Sequence, residues 1–365
     1  MIYLSSPDIT EKEKSAVIEV LNTGIIASGP KVKEFEKRFA EFCNIKYAIC
    51  VSNGTAALQA GLVASGISKG DRVITTPFTF IATANSILFC GAEIVFCDID
   101  EKSFNLDPNK VEHILKTEKN IKAIMVVHLY GNPADMSDFE FLSKKYNIKI
   151  FEDCAQSVGA TFDNKITGTF GDFGAFSFYA TKNMTTAEGG MVITNSDEID
   201  KKVRSFINHG RSGRFLHNSL GYNFRMTDIQ AAIGIVQLER LNGFIEKRND
   251  NAKFLIDKLE NINFLTLPIY DKNSRKKRHV FHQFTIRLNS KERDKFVSFM
   301  NENGVNVAAI YPVPVHKQTL YQKIKKYSLP IAEKIASQVV SLPVHTKLTQ
   351  DDLQKIVDMI KRFNK

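Results

Sequence analysis

A single lysine follows an aromatic, strand-like run and precedes a pair of glycines. Lys182 lies between the run Ala175–Tyr179 and Gly189-Gly190. A lysine that is held against apolar surface can lose its proton and become a nucleophile that forms a Schiff base. Taken singly, such a residue is more typical of a solvated surface position, so its interpretation depends on the groups that accompany it.

An aspartate and a turn of small residues offer matching chemistry. Asp153 follows the apolar run Lys149–Phe151. An aspartate at a strand end among apolar neighbours would be buried and would need a cationic partner, with a helix cap as the alternative. The turn Ser52–Ala57 opens a helix after the run Tyr47–Val51, and free backbone N–H groups make such a turn a phosphate site. It lacks the Gly-Lys-Ser/Thr of a Walker loop, and alone it is best interpreted as an ordinary capped turn.

Together these features fit one cofactor. Pyridoxal phosphate needs a lysine to hold its aldehyde, a carboxylate against its ring nitrogen and a cradle for its phosphate. Lys182, Asp153 and the turn that contains Gly54-Thr55-Ala56 supply one group of each kind. The sequence therefore predicts a pyridoxal-phosphate site, provided that the fold brings the three segments together.

Strand-like runs alternate with helical segments through the first half of the chain. The runs are Tyr47–Val51, Arg72–Thr76, Glu93–Cys97, Ala123–Val127 and Lys149–Phe151, and helices are expected near Thr55–Ser65, Phe80–Cys90, Pro108–Leu115 and Met136–Tyr146. This alternation is typical of an α/β fold with a mostly parallel sheet between helices, in which ligands bind at the carboxyl ends of the strands.

The second half of the chain changes character. The runs Ala175–Tyr179 and Met191–Thr194 are close enough to form a hairpin, and a long helix over Thr227–Leu259 is expected to bridge two regions. A strand-like Val280–Leu288 and a last helix over Gln350–Phe363 follow. We therefore predict a large cofactor-binding domain over residues 1–250, with its N-terminal helical segment, and a small C-terminal α+β domain over residues 251–365.

Composition and charge narrow the class of protein. The 365 residues are 43% hydrophobic and 24% charged, so disorder is not expected. No apolar stretch approaches the roughly 18 residues of a membrane helix, and no signal peptide is visible. The five cysteines are never spaced Cys-x-x-Cys, which favours thiols in a reducing cytoplasm. The net charge of +9 predicts an anionic partner of some kind.

Motifs along nearly the whole chain resemble the signatures of the DegT/StrS sugar aminotransferases. They are Ser28-Gly29-Pro30, Val127-His128-Leu129-Tyr130-Gly131, Glu152-Asp153-Cys154-Ala155-Gln156, Ala175-Phe176-Ser177-Phe178, Ala180-Thr181-Lys182-Asn183-Met184-Thr185-Thr186-Ala187-Glu188-Gly189-Gly190, Gly221-Tyr222-Asn223-Phe224-Arg225-Met226 and Pro312-Val313-Pro314-Val315-His316. Members of that family are fold-type-I pyridoxal-phosphate enzymes acting on nucleotide-linked keto-sugars. The resemblance implies this fold, this cofactor and this substrate class.

The resemblance also implies a role for each matching residue around the cofactor. Lys182 would hold the cofactor and then carry a proton between cofactor and substrate, while Asp153 would pair with the ring nitrogen. The Gly54-Thr55-Ala56 turn and Ser177 would hold the phosphate. Asn223 would reach the phosphate from the neighbouring subunit, which implies a homodimer with shared active sites.

Three further positions concern the ring and the lysine loop. Phe80 matches an aromatic residue that stacks on the ring, although core packing is a serious alternative in a chain with 27 phenylalanines. Gln156 matches a position beside the ring hydroxyl. Ala187 stands where many relatives have glycine, and we expect it to have a backbone angle that an L-residue tolerates.

The substrate contacts are expected near the sugar site. Arg225, Tyr311 and His316 occupy matching positions there, and Arg211 would meet the diphosphate through paired hydrogen bonds. For Arg211 and His316, a structural pair or a solvated side chain is an equal alternative.

Three other motifs give only weak evidence for a metal site or a nucleic-acid site. Asp98-Ile99-Asp100 resembles the metal-binding pair of glycosyltransferases but is better explained as a strand end followed by a turn. His279 and His282 lack further ligands at zinc-site spacing. The basic run Arg275–Arg278 is not accompanied by a nucleic-acid recognition module. We therefore expect a solvated loop or a dimer rim there, and neither a metal nor a nucleic-acid partner.

The leading hypothesis is an aminotransferase that moves an amino group from L-glutamate to a keto carbon of a nucleotide-linked deoxysugar. Retention of Lys182 favours transfer, because a branch of this fold that only dehydrates carries histidine there. Residues 2–7 and 25–30 resemble enzymes that aminate carbon 4 more than enzymes that aminate carbon 3, and this resemblance implies carbon 4. The alternatives are a keto-cyclitol aminotransferase, a dehydratase with the same cofactor, a non-catalytic nucleotide-sugar sensor and, more distantly, a basic nucleic-acid-binding protein.

Overall fold

A computed structural model describes residues 1–270 and 276–363. The strands are β1 (Tyr47–Val51), β2 (Arg72–Thr75), β3 (Glu93–Phe96), β4 (Ile121–Val127), β5 (Lys149–Asp153), β6 (Thr161–Phe162), β7 (Lys165–Ile166), β8 (Phe173–Ser177), β9 (Gly190–Thr194), β10 (Lys277–Arg278), β11 (Phe284–Arg287) and β12 (Val339–Leu342). The α-helices are α1 (Glu11–Thr23), α2 (Pro30–Cys43), α3 (Gly54–Ala64), α4 (Ala82–Phe89), α5 (Pro108–Thr117), α6 (Met136–Tyr146), α7 (Asp197–Phe206), α8 (Asp228–Leu259), α9 (Ser290–Glu302), α10 (Thr319–Ile324), α11 (Pro330–Ala336) and α12 (Gln350–Phe363).

Seven strands form the central sheet, in the order β1-β9-β8-β5-β4-β2-β3. The pairs that join β3, β2, β4, β5 and β8 are all parallel, and β9 runs antiparallel to both of its neighbours. The predicted mostly parallel sheet and the predicted β8–β9 hairpin are confirmed. Val51 and Ser177 both pair with Gly190, so the ends of β1 and β8 meet at one edge.

The helix after β1 packs unusually close to the sheet. Helix α3 contacts β8 and β9, and a Cβ added at Gly61 would lie only 2.4 Å from the Phe173 ring. Close approach requires glycine at such a position. At the other end of the helix, a Cβ added at Gly54 would lie 2.7 Å from Ser177 Cβ, so the start of α3 lies against the end of β8.

The long helix α8 spans 32 residues and contacts α1, α2 and α12, as expected of a bridging element. Its C-terminal part supplies Leu255 and Leu259 to a second core with Phe284 and Phe296. Ile2 also packs in that core. The predicted boundary at residue 250 therefore falls within one continuous helix and stays a prediction.

The expected strand over Val280–Leu288 is shorter in the structure, where β11 covers only Phe284–Arg287. The preceding backbone bonds elsewhere, because the N–H of Val280 donates to Gly131 O and that of Gln283 to Tyr130 O. A tertiary contact thus replaces sheet pairing. This contact carries residues 280–283 towards the end of β4.

The basic run near residue 275 was expected to be a solvated loop or a dimer rim. Residues 272–275 lie outside the described residues. Lys277 and Arg278 form β10, which pairs antiparallel with β6, and both are half-buried. The solvated-loop expectation is therefore wrong for these two residues.

Asp98 lies just after β3 and caps a helix. Its carboxylate accepts hydrogen bonds from the N–H groups of Ile331 (3.0 Å) and Ala332 (2.8 Å) at the start of α11. The interpretation of Asp98-Ile99-Asp100 as a strand end followed by a turn is confirmed. In the described part of the chain, no helix has the length and apolar character needed to span a membrane.

Candidate active site

A cavity of about 740 Å³ opens at the carboxyl edge of the sheet. The strand ends Val127, Asp153 and Ser177 line it, together with the turn after β1. The predicted site residues that line it are Gly54, Thr55, Ala56, Phe80, Asp153, Gln156, Ser177, Lys182 and Tyr311. The fold therefore brings together the lysine, the carboxylate and the small-residue turn.

Lys182 lies in the connection between β8 and β9 and is partly exposed to the cavity. Desolvation lowers the pKa of its ammonium group to about 8, against an opposing attraction from Asp153. A lower pKa increases the fraction of neutral amine near neutral pH. The neutral amine is the form that attacks a carbonyl carbon.

Asp153 is the last residue of β5 and is 5% exposed. Its Oδ2 accepts a hydrogen bond from Thr83 Oγ1 (2.7 Å), and its Oδ1 accepts one from the N–H of Ala155 (3.0 Å). Burial raises the pKa of this carboxyl group, and these hydrogen bonds and the charge of Lys182 act against that change. A cationic ligand in the cavity would therefore stabilise the ionised carboxylate.

The turn before α3 leaves backbone donors available. Asn53 caps the helix, and its Oδ1 accepts the N–H of Ala56 (2.9 Å). For the N–H groups of Gly54 and Thr55, no acceptor occurs among residues 1–270 and 276–363. A Cβ added at Gly54 would lie 2.7 Å from Ser177 Cβ, so only glycine allows the hydroxyl and the two amides to lie together.

Three further side chains that line the cavity contact one another. Phe80 is 56% exposed, so it is not a core residue, and its ring lies 6.2 Å from that of Tyr311. Gln156 accepts the N–H of Tyr130 (2.8 Å) and donates to the Tyr311 hydroxyl (2.9 Å). The Tyr311 hydroxyl therefore keeps its own proton to donate. Burial raises the pKa of Tyr311, which keeps that proton in place.

Four predicted residues do not line the cavity of a single chain. Asn223 is exposed, and Arg225 donates to Asn208 Oδ1 (2.7 Å). Arg211 is exposed and donates to two loop carbonyls at 2.8 and 2.7 Å. His316 is buried, and its Nε2 lies 3.0 Å from Glu333 Oε1. The predicted substrate roles of Arg211 and His316 compete with these structural contacts.

His282 lines the cavity, although its sequence context suggests no role beyond an incomplete zinc-site spacing. Its Nδ1 lies 3.3 Å from Oδ1 of Asn183, a residue 99 positions away. Burial, together with the charges of Lys182 and Arg248, lowers its pKa well below the usual range, so the imidazole is neutral. No local pattern marks this residue, because its place depends on a contact between distant segments.

The backbone angle of Ala187 differs from the expected one. Its φ is +68°, which lies in the left-handed region that favours glycine. The prediction of an angle that an L-residue readily tolerates is therefore wrong. Thr185 helps to hold this turn, because its hydroxyl oxygen accepts the N–H of Ala187 (2.9 Å).

The amino-acid sequence matches the model of the DegT/DnrJ/EryC1/StrS aminotransferase family over residues 7–361. The chain belongs to this family. It is therefore a pyridoxal-phosphate-dependent aminotransferase with the fold-type-I architecture.

Two curated relatives and one solved structure illustrate the similarity of this aminotransferase to known proteins. GDP-perosamine synthase of Caulobacter vibrioides is 38% identical over 363 residues, which cover 98% of this chain and 96% of the relative. The dTDP-3-amino-3,6-dideoxy-alpha-D-galactopyranose transaminase of Aneurinibacillus thermoaerophilus is 36% identical, over 96% and 94% of the two chains. S. venezuelae DesV, solved in complex with a ketimine intermediate, has a TM-score of 0.91 at 32% identity, over 97% and 94%.

The cavity of this aminotransferase fits pyridoxal phosphate by the chemistry of its donor set. The amides of Gly54 and Thr55 and the Ser177 hydroxyl are donors suited to a phosphate. The buried carboxylate of Asp153 suits a protonated ring nitrogen. Lys182 supplies the amine with a lowered pKa.

Proposed function

We propose that this aminotransferase moves an amino group from L-glutamate to carbon 4 of a nucleotide-linked keto-deoxysugar. The observation that carries the substrate class is the similarity, over more than 90% of both chains, to a GDP-perosamine synthase and to a dTDP-aminosugar transaminase. The choice of carbon 4 rests on the resemblance of residues 2–7 and 25–30 to enzymes that aminate that carbon.

In the proposed mechanism, the residues of this chain bind and orient the cofactor and the substrates, and they move protons. Bound pyridoxal phosphate supplies an aldehyde that accepts the amino group and a ring that withdraws electrons. Asp153, by its negative charge, would keep the ring nitrogen of the bound cofactor protonated. Lys182 Nζ would take a proton from the donor carbon and pass it to the cofactor carbon that carries the aldehyde, and would run the same shift in reverse for the keto sugar, because a neutral amine at this position can act as a general base.

The remaining cavity residues hold the cofactor and the substrate. Gly54, Thr55 and Ser177 bind the phosphate through two amides and a hydroxyl. Phe80 would stack on the cofactor ring, and Tyr311 would donate its free proton to the ring oxygen or to the substrate. Each of these roles is a proposal that follows from the lining of the cavity.

We propose that the active enzyme is a homodimer with shared sites. The loop that precedes Asn223 exposes large apolar side chains: Phe215 is 81% exposed and Leu220 is 79% exposed. Exposed apolar clusters of this kind support an interface. In the dimer, Asn223 of the partner subunit completes the phosphate site. Arg225, two residues after Asn223 in the sequence, lies near the bound sugar nucleotide.

The experiment begins with the purified protein and its cofactor. Added pyridoxal phosphate should produce a visible absorption band that borohydride abolishes, and Lys182→Ala should lack that band. L-Glutamate should then remove this visible band. GDP-, dTDP- and UDP-linked 4-keto and 3-keto sugars are next added in separate reactions. We expect an amino sugar from a 4-keto nucleotide sugar, identified by mass spectrometry and NMR.

The possible failures are distinguishable. A protein that stays colourless with the cofactor contradicts the catalytic role of Lys182. A band that glutamate leaves unchanged contradicts the donor and favours the dehydratase. Amination of a free keto-cyclitol, with no reaction of any nucleotide sugar, overturns the proposed substrate class.

A further inference from the structure

Two threonine hydroxyls form a chain of hydrogen bonds that ends at the buried carboxylate of Asp153. Thr83 Oγ1 is 2.7 Å from Asp153 Oδ2, although the two residues are 70 positions apart. Thr79 Oγ1 is 3.0 Å from Thr83 Oγ1. The two threonines are 4% and 1% exposed, and both line the cavity.

The direction of these hydrogen bonds follows from the number of protons. An ionised carboxylate only accepts, and each hydroxyl carries a single proton. The Thr83 proton therefore goes to Asp153, and the Thr83 oxygen must accept the proton of Thr79. The relay runs from Thr79 through Thr83 to Asp153.

The relay restricts the carboxylate from one side while a backbone amide restricts it from the other. Oδ2 is held by Thr83, and Oδ1 is held by the N–H of Ala155 at 3.0 Å. Rotation of the carboxylate breaks both bonds. The hydrogen bond from Thr83 also opposes the rise in the pKa of Asp153 that burial causes.

We propose that Thr83, supported by Thr79, is a positioning residue that keeps Asp153 ionised and aimed at the ring nitrogen of the cofactor. The proposal rests on the role assigned to Asp153 above. Hydrogen bonds in series polarise one another, so the outer hydroxyl strengthens the inner one. Neither hydroxyl takes part in a bond-making step.

The test compares hydroxyl deletions of nearly equal shape. Thr83→Val and Thr79→Val each remove one link of the relay. Ser86→Ala is the matched control, because the Ser86 hydroxyl lies on the same helix and donates to the carbonyl of Thr83 at 2.9 Å, away from Asp153. Thr83→Ser restores the hydroxyl and should restore the wild-type behaviour.

Cofactor affinity is the first measurement, made by equilibrium dialysis of the cofactor-free proteins. A lost hydrogen bond to a charged group predicts that T83V binds pyridoxal phosphate about tenfold more weakly. T79V should bind about threefold more weakly, and S86A should bind like the wild type. Thermal unfolding of each cofactor-free variant checks that it is folded.

A double variant tests the order of the relay. Thr79 acts only through Thr83, so Thr79→Val should have no effect in a protein that already carries Thr83→Val. In a crystal structure of cofactor-free T83V, the Asp153 carboxylate should leave its single orientation, whereas in S86A it should keep it. Wild-type affinity of T83V, or an unchanged effect of T79V in the double variant, overturns the proposal.

Asp153→Asn separates the relay from the assignment on which it rests. If D153N binds the cofactor as tightly as the wild type, the role of Asp153 fails and the relay fails with it. If D153N binds weakly while T83V binds normally, only the relay fails. If T83V does not fold, the T79V affinity alone decides, with wild-type binding as the result against the proposal.

Discussion

Lys182 and Asp153 line the same cavity, and burial shifts their pKa values in opposite directions. It lowers the pKa of the lysine to about 8 and raises that of the aspartate, so in both cases it favours the neutral form. Their mutual attraction opposes both changes. The protonation of the pair thus depends on the balance between desolvation and mutual attraction, and a cationic ring nitrogen beside Asp153 would favour its ionised form.

The lysine predicts a pH dependence of stability. Its pKa is about 8 in the folded protein, against a reference value of 10.5. Between these values the unfolded chain binds more protons, so the free energy of unfolding should rise with pH, by about 3 kcal/mol in all. Urea unfolding of the cofactor-free protein and of Lys182→Met from pH 7.5 to 10.5 measures this. A difference between the two proteins that does not grow with pH contradicts the lowered pKa.

At the scale of elements, one carboxylate joins the starts of two helices. Asp228, at the first turn of α8, is 1% exposed. Its Oδ1 accepts the N–H groups of Gly29 (2.7 Å) and Val32 (3.0 Å), and its Oδ2 accepts that of Lys31 (3.1 Å). These are amides at the start of α2 that the helix itself cannot satisfy. The long helix therefore holds α2 against the sheet.

Loss of this carboxylate should be costly. Asp228→Ala leaves three N–H groups without their acceptor, so we expect the free energy of unfolding to fall by about 3 kcal/mol. Asp107→Ala is the control, because Asp107 caps α5 with one side-chain bond to the N–H of Asn109, and such a cap contributes about 1 kcal/mol. Denaturant unfolding of both variants measures the losses. If both variants lose the same free energy of unfolding, the hydrogen bonds between Asp228 and α2 contribute no more stability than an ordinary helix cap.

At the scale of the whole molecule, the apolar loop and the exposed Asn223 lie outside the single-chain cavity. Phe215 and Leu220 are more than three-quarters exposed, and the net charge is +9. Little of this positive charge is needed at the proposed phosphate site, because the donors there are amides and a hydroxyl. The proposed dimer instead accounts for the exposed apolar loop.

Mixing two defective proteins tests the shared sites. Lys182→Ala and Asn223→Asp should each be inactive, but a heterodimer of the two has one site with neither change. Random exchange of subunits should then restore about one quarter of the wild-type activity. The control is Lys182→Ala with Asp153→Ala, which should restore none because these residues belong to one chain's cavity. Absence of recovery in the first mixture contradicts the contribution from the partner.

Much of the sheet could be predicted because alternation is a local signal. The run Tyr47–Val51 matches β1, and the hairpin of β8 and β9 was visible from its short connection. Val280–Leu288 was extended too far, because its first residues bond to the Tyr130–Gly131 backbone rather than to a strand. Sequence periodicity contains no information about such a distant partner.

The sequence by itself determined which chemical groups this protein has and that they stand at strand ends, since strand periodicity and the order of motifs are properties of neighbouring residues. It pointed to Lys182, Asp153 and the turn at Gly54 for that reason. Only the tertiary structure decided that Thr83 holds Asp153, that His282 enters the cavity and that His316 pairs with Glu333. These partners lie far apart along the chain or compete with other contacts, and the packing of whole elements selects among them.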